Sequence, residues 1–323
     1  MFILDSPSND PYFNIAAEEY LMKEKDGDFT FIYINDPSII IGKHQNAYAE
    51  INLSYTRKKG IPVVRRISGG GTVWHDPGNV NFSFILNGEE GKLVNFRQYA
   101  SPVLSYLQSL SVQAEFGSRN EILVNGKKIS GNAEHVHRNR VLHHGTLLFS
   151  SDLEALQAAL ERDLGRYKDK AVQSVPSQVV NILDFLVAPV SVKEFRENLI
   201  GYLSSSFKDA SRYELSGSDV ASIEELVSRK YSTWKWNIGY SPKYQMTRQT
   251  EWNDKPVIIH LEVEKGKIIS IRIQSDTLDR ELFDQIAGIL SGVDHEPGEI
   301  REIISRNFLV KPRMIDYFVE AIF

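Results

Sequence analysis

Between Arg65 and Asp76 the chain reads RRISGGGTVWHD, and its three consecutive glycines constrain the fold more than any other stretch. Glycine gives up the most backbone entropy on ordering and brings no side chain to pack, so Gly69-Gly70-Gly71 is a poor interior for a helix or strand. It belongs where the backbone must turn and come close to something else. Placed after the β-prone run Ile61 to Arg65, such a turn can aim several N–H groups at one anion. Arg66 and Ser68 at its edge add charge-assisted hydrogen bonds. The stretch therefore predicts an anion-binding turn for a phosphate or carboxylate; a flexible glycine turn with a solvated arginine pair is the alternative the bare motif leaves open.

The flanking sequence supplies walls for such a turn. Residues 11 to 23, PYFNIAAEEYLMK, space Phe13, Ala16, Ala17, Tyr20 and Leu21 helically behind Pro11, with Glu18-Glu19 on the other side. Phe29 to Ile34 and Ser38 to Ile41 are β-rich runs separated by Asn35-Asp36-Pro37, and the second exits into the polar GKHQN. After the glycines, Asn81 to Leu86 alternates, with Phe82, Phe84 and Leu86 on one face and Asn81 and Ser83 on the other. It fits a cleft wall or a strand with one wet face. Residues 95 to 110 are helical and Val112 to Phe116 is a short β run.

In NEILVNGKKIS, residues 120 to 130, Asn125-Gly126 between two β-prone runs predicts a hairpin. Its returning strand sends Lys127 and Lys128 to opposite faces, so one of them can face a cleft. Gly131 to Arg140 reads as a polar loop, and His135-x-His137 lacks the spacing that would complete a metal site. VLHHGTLLFS, residues 141 to 150, is a strand whose alternation puts His143 on one face and His144 on the other. One histidine looks into the site and the other packs away from it.

Further helices are expected at Leu153 to Leu160, Val192 to Phe207 and Ile223 to Lys230, with a turn-rich segment from Gly165 to Asn181 and an aromatic packing cluster at Tyr231 to Tyr240. Beyond residues 246 to 250 the texture changes. Val257 to Val263 and Lys267 to Ile273 alternate around Glu264-Lys265-Gly266 as a hairpin. Helical patterns follow, without any dense polar constellation. This predicts a domain of residues 1–247 that carries the chemistry and a small accessory domain of residues 248–323.

With 42% hydrophobic and 24% charged residues over 323 positions, the composition is that of a globular protein of one large or two ordinary domains. A net charge of −5 argues against a general nucleic-acid binder. No apolar run approaches the roughly 20 residues that span a bilayer, and MFILDSPSND lacks the pattern of a signal peptide, so a cytoplasmic protein is expected. The absence of cysteine removes disulfides, thiolate metal sites and any cysteine nucleophile together.

Taken in order, Asn14-x-Ala16-x-Glu18-Glu19, IIIGKHQN (39 to 46), RRISGGGTVWHD with GNVNFSF (78 to 84), NGKKISGNA (125 to 133) and HHGTLLF (143 to 149) resemble lipoate–protein ligase A. Lys170 to Asn181 resembles the family's adenylate-binding loop, and the C-terminal part is like the small domain of bacterial members. The resemblance implies an α+β fold: a large catalytic domain of mixed and antiparallel sheets flanked by helices, as in biotin and lipoate ligases, plus a small C-terminal α/β domain. It implies that lipoate and MgATP give lipoyl-adenylate, and that a lysine of an apo lipoyl domain, from the E2 subunits of 2-oxoacid dehydrogenase complexes or the glycine cleavage H protein, then takes the lipoyl group.

In that pattern Lys128 holds the place of the catalytic lysine and Arg66 joins it. Ser68, Gly69, Gly70, Gly71, Thr72, Val73, His75, Asp76, Asn79, Asn81, His144 and Gly145 bind ATP or the acyl substrate, Ile40 and Val73 contribute an apolar slot, and Lys170, Ser174 and Ser177 belong to the adenylate loop. One departure stands out. Where the family commonly shows S-V-R-S-R-V, this chain has Ser174-Val175-Pro176-Ser177-Gln178-Val179, with both arginines missing. An ATP-independent octanoyl or lipoyl acyltransferase of the same superfamily would need a cysteine the chain does not have. A biotin ligase would carry a different glycine motif, and a non-catalytic lipoate- or lipoyl-domain-binding module has no reason to keep Arg66, the glycines and Lys128.

Overall fold

A computed structural model describes residues 1–88, 94–163 and 165–323. The chain begins with strand β1 (Phe2–Asp5), helix α1 (Pro11–Glu24), strands β2 (Phe29–Ile34) and β3 (Ser38–Ile41), and short helices α2 (Ala47–Glu50) and α3 (Leu53–Lys59). Strands β4 (Val63–Arg65), β5 (Val73–His75) and β6 (Asn79–Asn87), helix α4 (Phe96–Ser109), and strands β7 (Ala114–Phe116), β8 (Glu121–Val124), β9 (Lys127–His137) and β10 (Arg140–Leu148) follow. Next come α5 (Leu153–Ala159), β11 (Tyr167–Asp169), α6 (Val192–Ser206), β12 (Ser211–Tyr213) and α7 (Gly217–Leu226). The C-terminal part holds β13 (Tyr244–Trp252), β14 (Lys255–Glu264), β15 (Lys267–Ser275), α8 (Arg280–Ile289), α9 (Pro297–Asn307) and α10 (Pro312–Ala321).

A large sheet runs β12-β1-β2-β6-β10-β9-β8-β7. Its β12-β1 and β1-β2 pairs are parallel and the rest antiparallel. Helices α4 and α6 pack on one face through Val103, Leu107, Phe195 and Leu199 against Phe82, Phe84 and Phe149. Helices α1 and α7 cover the other, with Ile15, Leu21 and Ile223 against Phe31, Tyr33 and Leu142. A small sheet, β4-β3-β5, lies beside α1. Its pleat sends Ile40 and Val64 toward α1, while Ile39, Ile41 and Trp74 face the opposite cluster with α5. The architecture is α+β with mixed sheets.

Several local expectations hold for identifiable reasons. Asn125 and Gly126 take φ of 51° and 74°, the pair of positive values that a two-residue hairpin turn demands. Asp10 caps α1 by accepting from Tyr12 N–H, and Pro11 stands where its missing N–H costs nothing. The polar outer face expected of α1 is absent, however: Asn14, Glu18 and Glu19 are as buried as its apolar residues, because each meets partners across the fold. Residues 131 to 137 also depart from expectation. They continue β9 rather than forming a loop, since β10 offers a full ladder from Gly145↔Asn132 to Arg140↔His137, and sheet pairing outweighs a polar sequence. Helix α7 begins six residues earlier than its periodicity suggests, at the capping box of Ser216 and Asp219.

Strands β13, β14 and β15 form a further sheet together with β11. Its core joins Val257, Ile259 and Leu261 to Phe283, Ile300 and Phe318 of α8, α9 and α10. Buried His295 ties this part together, as Nε2–H donates to Ile322 O at 3.0 Å and Nδ1 accepts from Tyr244 OH at 2.6 Å. Among the described residues no helix is long and apolar enough to cross a membrane.

Candidate active site

Where the inner face of the large sheet passes the small sheet, a cavity of about 320 Å³ remains open. Asn81 of β6, His144 and Thr146 of β10, and Lys128, Gly131 and Ala133 of β9 form one wall; Ile40, Gly70 to Val73 and His75 form the other. Burial divides it in two. One end, with Ile15, Tyr33, Ile40, Asn81, His75 and His144, is sealed. The other, with Arg119, Asn120, Gln173, Val175 and Ser177, is exposed at the mouth.

The glycine turn is built on two arginines with different tasks. Arg65, wholly buried, donates to Gly42 O, Lys43 O, Gln45 O, Trp236 O, Asn237 O and Ser241 Oγ. Every acceptor is neutral, so the guanidinium serves as a cross-brace, and burial pushes its pKa down to about 9. Arg66 turns back into the glycines. Nε donates to Ser68 Oγ (2.9 Å), Nη1 to Ile40 O (3.1 Å), and Nη2 to Gly69 O (2.6 Å) and Gly71 O (2.8 Å). Three of its five N–H groups are spent on the turn and a fourth on strand β3, and one hydrogen on Nη1 is left. Burial brings Arg66 down to about 10, with Glu18 opposing. Gly70 has φ of 87°, and its carbonyl approaches Gly42 so closely that a Cβ there would sit 2.1 Å from it. The strand exit after β3 is thus the seat of the turn.

Behind Arg66 runs a relay that sequence reading did not reveal. Ser68 Oγ lies 2.6 Å from His144 Nε2, and His144 Nδ1 lies 2.9 Å from Glu18 Oε2. Glu18 also accepts from Tyr33 OH (3.0 Å) and Ser83 Oγ (2.5 Å). With Nδ1–H given to the carboxylate, Nε2 accepts the Ser68 proton, and Ser68 Oγ keeps a lone pair for Arg66 Nε–H. Ser68 is fully buried and does not line the cavity, so it orients rather than attacks. His143 packs away, stacked near Phe82 and Phe84 and bonded to Glu134 at 2.9 Å. His144 is therefore the histidine that faces the site.

Lys128 reaches the cavity while Lys127 is exposed. The pairing of β8 with β9 shifts between Ile122 and Leu123, opposite Ser130 and Lys128. This bulge puts one extra residue into β9 and lets Lys128 and Gly131 share a face. Among the described residues the Lys128 ammonium has no ion pair and no side-chain hydrogen bond, and burial lowers its pKa. Its backbone is tied to the loop that follows β11, through Lys128 N–H to Gln178 O and Val180 N–H to Lys128 O.

That loop closes over the glycines without its arginines. Ser174 Oγ accepts from Thr72 N–H (2.8 Å) and from Gln45 Nε2 (3.1 Å). Its N–H goes to Glu50 and its carbonyl to Arg162 Nη2, which is linked to Glu50 in turn. Ser174 and Ser177 line the cavity, whereas exposed Lys170 does not.

Of the residues singled out in the sequence, the cavity brings together Lys128, Arg66, Gly70, Gly71, Thr72, Val73, His75, Asn81, His144, Gly145, Ser174 and Ser177. Gly69 lies in the turn, facing Arg66. Asp76 stands at the end of β5, where it accepts from Trp74 Nε1, Gly78 N–H and Asp152 N–H and so holds the fold. Asn79 is buried behind Asn81 and donates to its Oδ1 at 2.8 Å. Among the described residues no group of three or more His, Cys, Asp or Glu side chains could hold a metal.

Comparison with known proteins follows the same lines. Residues 10–204 match the family described as lipoyl protein ligase A/B catalytic domain, and residues 241–314 match bacterial lipoate protein ligase C-terminus. The chain is 37% identical over 308 residues to the lipoate-protein ligase LplJ of Bacillus subtilis, covering 94% of this chain and 93% of that one. A Thermoplasma acidophilum protein solved with bound lipoic acid aligns at a TM-score of 0.63 and 29% identity, over 73% of this chain and 98% of that one. A lipoate-protein ligase A solved bound with ATP gives a TM-score of 0.62 at 28% identity, over 74% and 98%.

Proposed function

The chain belongs to the lipoyl protein ligase A/B family, and from that premise we propose that it activates lipoate with ATP and transfers the lipoyl group to a lysine of an apo lipoyl domain. The observation that carries this reading is the unpaired Lys128 ammonium, held beside Arg66 and the glycine turn between a sealed, largely apolar end and an open mouth. Joining a carboxylate to an α-phosphate brings two anions together. A cation without an ion-pair partner, half-buried in the cavity wall, is the arrangement that lowers this barrier.

In the first step a lipoate carboxylate oxygen bonds to the α-phosphorus of ATP, the α–β bridging bond breaks, and pyrophosphate leaves through the mouth. Lys128 bridges the carboxylate and the α-phosphate as charge gathers between them, and the backbone N–H groups of the glycine turn are the donors we propose for the same oxygens. The apolar tail occupies the end lined by Ile15, Ile40 and Val73. In the second step the acceptor amine attacks the acyl carbon, the acyl–oxygen bond breaks, AMP leaves, and the amine gives its extra proton to the released phosphate or to solvent. Lys128 again holds the leaving oxygen.

A Mg²⁺ arriving with ATP is bound through phosphates and one or two carboxylates. Glu121, which lines the mouth, would serve it there, and the ion would neutralise phosphate charge. E2 lipoyl domains or a glycine cleavage H protein are the acceptors we propose, in the cytoplasm. Residues 1–247 form the catalytic unit and 248–323 the accessory one in this proposal; β13 crosses the boundary and pairs with β11.

The test is lipoate-dependent ATP–pyrophosphate exchange by the purified protein, followed by mass spectrometry of an apo lipoyl domain with and without ATP. Exchange that collapses in Lys128→Ala is expected. Absence of exchange in the wild type overturns the reading.

A further inference from the structure

At the sealed end of the cavity Ile15, Tyr33 and Ile40, with half-buried Val73 next to them, offer mainly carbon, and beside the Asn81 amide the His75 ring presents a polar hydrogen. Its position follows from hydrogen bonds that start at a backbone carbonyl. The Asn14 amide nitrogen donates to Ser8 O (2.9 Å) and to Asn35 Oδ1 (2.8 Å). A backbone carbonyl only accepts, so the Asn14 amide cannot be reversed. Asn35 Oδ1 is therefore turned to Asn14, and Asn35 Nδ2 faces His75 Nδ1 at 2.9 Å. An amide nitrogen only donates, so Nδ1 carries the lone pair and Nε2 the proton of the neutral ring. Burial first, then the neighbouring Arg66 and His144, push His75 down to about 3, and the ring is neutral near pH 7. Nε2 has no hydrogen-bond partner among the described residues and is not closed off from the surroundings. His75 lines the cavity, so the Nε2–H opens onto it.

We propose that the His75 Nε2–H distinguishes an acyl tail ending in sulfur from a plain alkyl tail of the same length, with Asn35 and Asn14 as the residues that fix the ring's tautomer. The proposal rests on the reading of this cavity as the lipoate site. A straight eight-carbon tail displaces water from the N–H and returns no acceptor, leaving a buried donor unpaired. A dithiolane sulfur is a weak acceptor and polarizable. Shape alone separates near-isosteres in an apolar pocket by about 10–200-fold, and one positioned donor adds to that by penalising the alkyl acid.

The experiment compares lipoate with octanoate in ATP–pyrophosphate exchange, as the ratio of their kcat/KM values, in the wild type, His75→Phe and Asn35→Leu. His75→Phe keeps a planar ring and loses the donor. The lipoate-to-octanoate ratio is expected to fall about tenfold there, and to fall in the same direction in Asn35→Leu, where the tautomer is no longer fixed. A variant that is merely damaged loses rate with both acids together, so an unchanged ratio overturns the proposal. ¹⁵N NMR of histidine-labelled wild type reads the tautomer independently of either variant's folding. An Nε2–H ring is expected, and an Nδ1–H or doubly protonated ring at pH 7 overturns the proposal. Wild-type protein that exchanges with neither acid overturns the ligase reading itself; exchange with lipoate at an unaltered ratio overturns this inference alone.

Discussion

Gly131→Ala isolates the placement of Lys128 from the stability of the fold. A Cβ at position 131 would lie 2.9 Å from both Cε and Nζ of Lys128, short of the roughly 3.5–4.0 Å that carbon atoms prefer. The atoms it meets are the far end of a flexible side chain, so the lysine yields and the backbone does not. Gly131 has no positive φ, and alanine fits its conformation. Stability should stay within about 1 kcal/mol of the wild type, because the contact is offset by the smaller unfolded-state entropy of alanine, about 0.4–1 kcal/mol. The ammonium, however, must move by nearly 1 Å. A displacement of that size costs about 10²-fold in rate when the group has to meet a transition state, or about 2.7 kcal/mol of barrier. The assay is kcat/KM for lipoate in pyrophosphate exchange, alongside a urea titration. Activity within threefold of the wild type at unchanged stability refutes the reasoning; loss of folding would show that strand β9, rather than the lysine, absorbs the contact.

Three other outcomes are expected. Ser68→Ala removes the hydroxyl between Arg66 Nε and His144 Nε2; stranding two buried polar atoms should cost about 1–3 kcal/mol each in urea unfolding and lower the exchange rate, although Ser68 touches no substrate. His75 and His295 are held neutral, each pushed down to about 3 by burial. Below about pH 6.5 the unfolded chain binds protons that these two rings refuse in the native state, as does His135, which burial lowers to about 4, so stability should fall with pH from there toward 3, by up to about 1.4 kcal/mol per pH unit for each histidine. Urea midpoints at pH 7 and pH 5 check this, and His75→Phe should make the slope shallower by that one ring's share. Lys128→Met replaces an unpaired, half-buried cation with an apolar chain of similar length and should raise the melting temperature of the ligand-free protein while abolishing exchange; a lower melting temperature would show that the ammonium is already compensated.

What the sequence made legible was local. Asn125-Gly126 announces its turn because positive φ at two successive residues is a property of those residues alone, and the pleat of VLHHGTLLFS separates His143 from His144 whatever lies beyond it. Contacts between distant segments were out of reach. Glu18 and Asn14 appear in sequence as part of one helical turn, and their partners come from β2, β6, β10 and the turn after β2. Adjacency to a motif also misleads. Asp76 follows His75, yet it leaves the strand on the other side and binds backbone; Ser68 and Gly69 sit within the motif and support it from behind. The bulge in β9 was hidden too, since one extra residue in a strand leaves no mark in composition.

The missing loop arginines acquire a physical setting. A loop that closes on an adenylate needs either its own cations or a fixed attachment. Here each polar atom of Ser174 is engaged: the amide by Glu50, the carbonyl by Arg162, the hydroxyl by Thr72 N–H and Gln45. Arg162 lies before β11 and its carboxylate partner on α2, so the charge that fastens the loop is supplied from outside it. The positive charge facing the cavity is then left to Arg66, Lys128 and Arg119 at the mouth. Of the two cations in the cavity wall, Arg66 has one N–H uncommitted and Lys128 has its whole ammonium. Burial lowers the pKa of both, the sign of charge held away from water with too little compensation. An anion entering the cavity relieves that strain, and lysine relieves it most. The stability that Lys128→Met is expected to gain and the catalysis it is expected to lose are therefore two readings of one electrostatic cost, in line with active sites that give up stability for function.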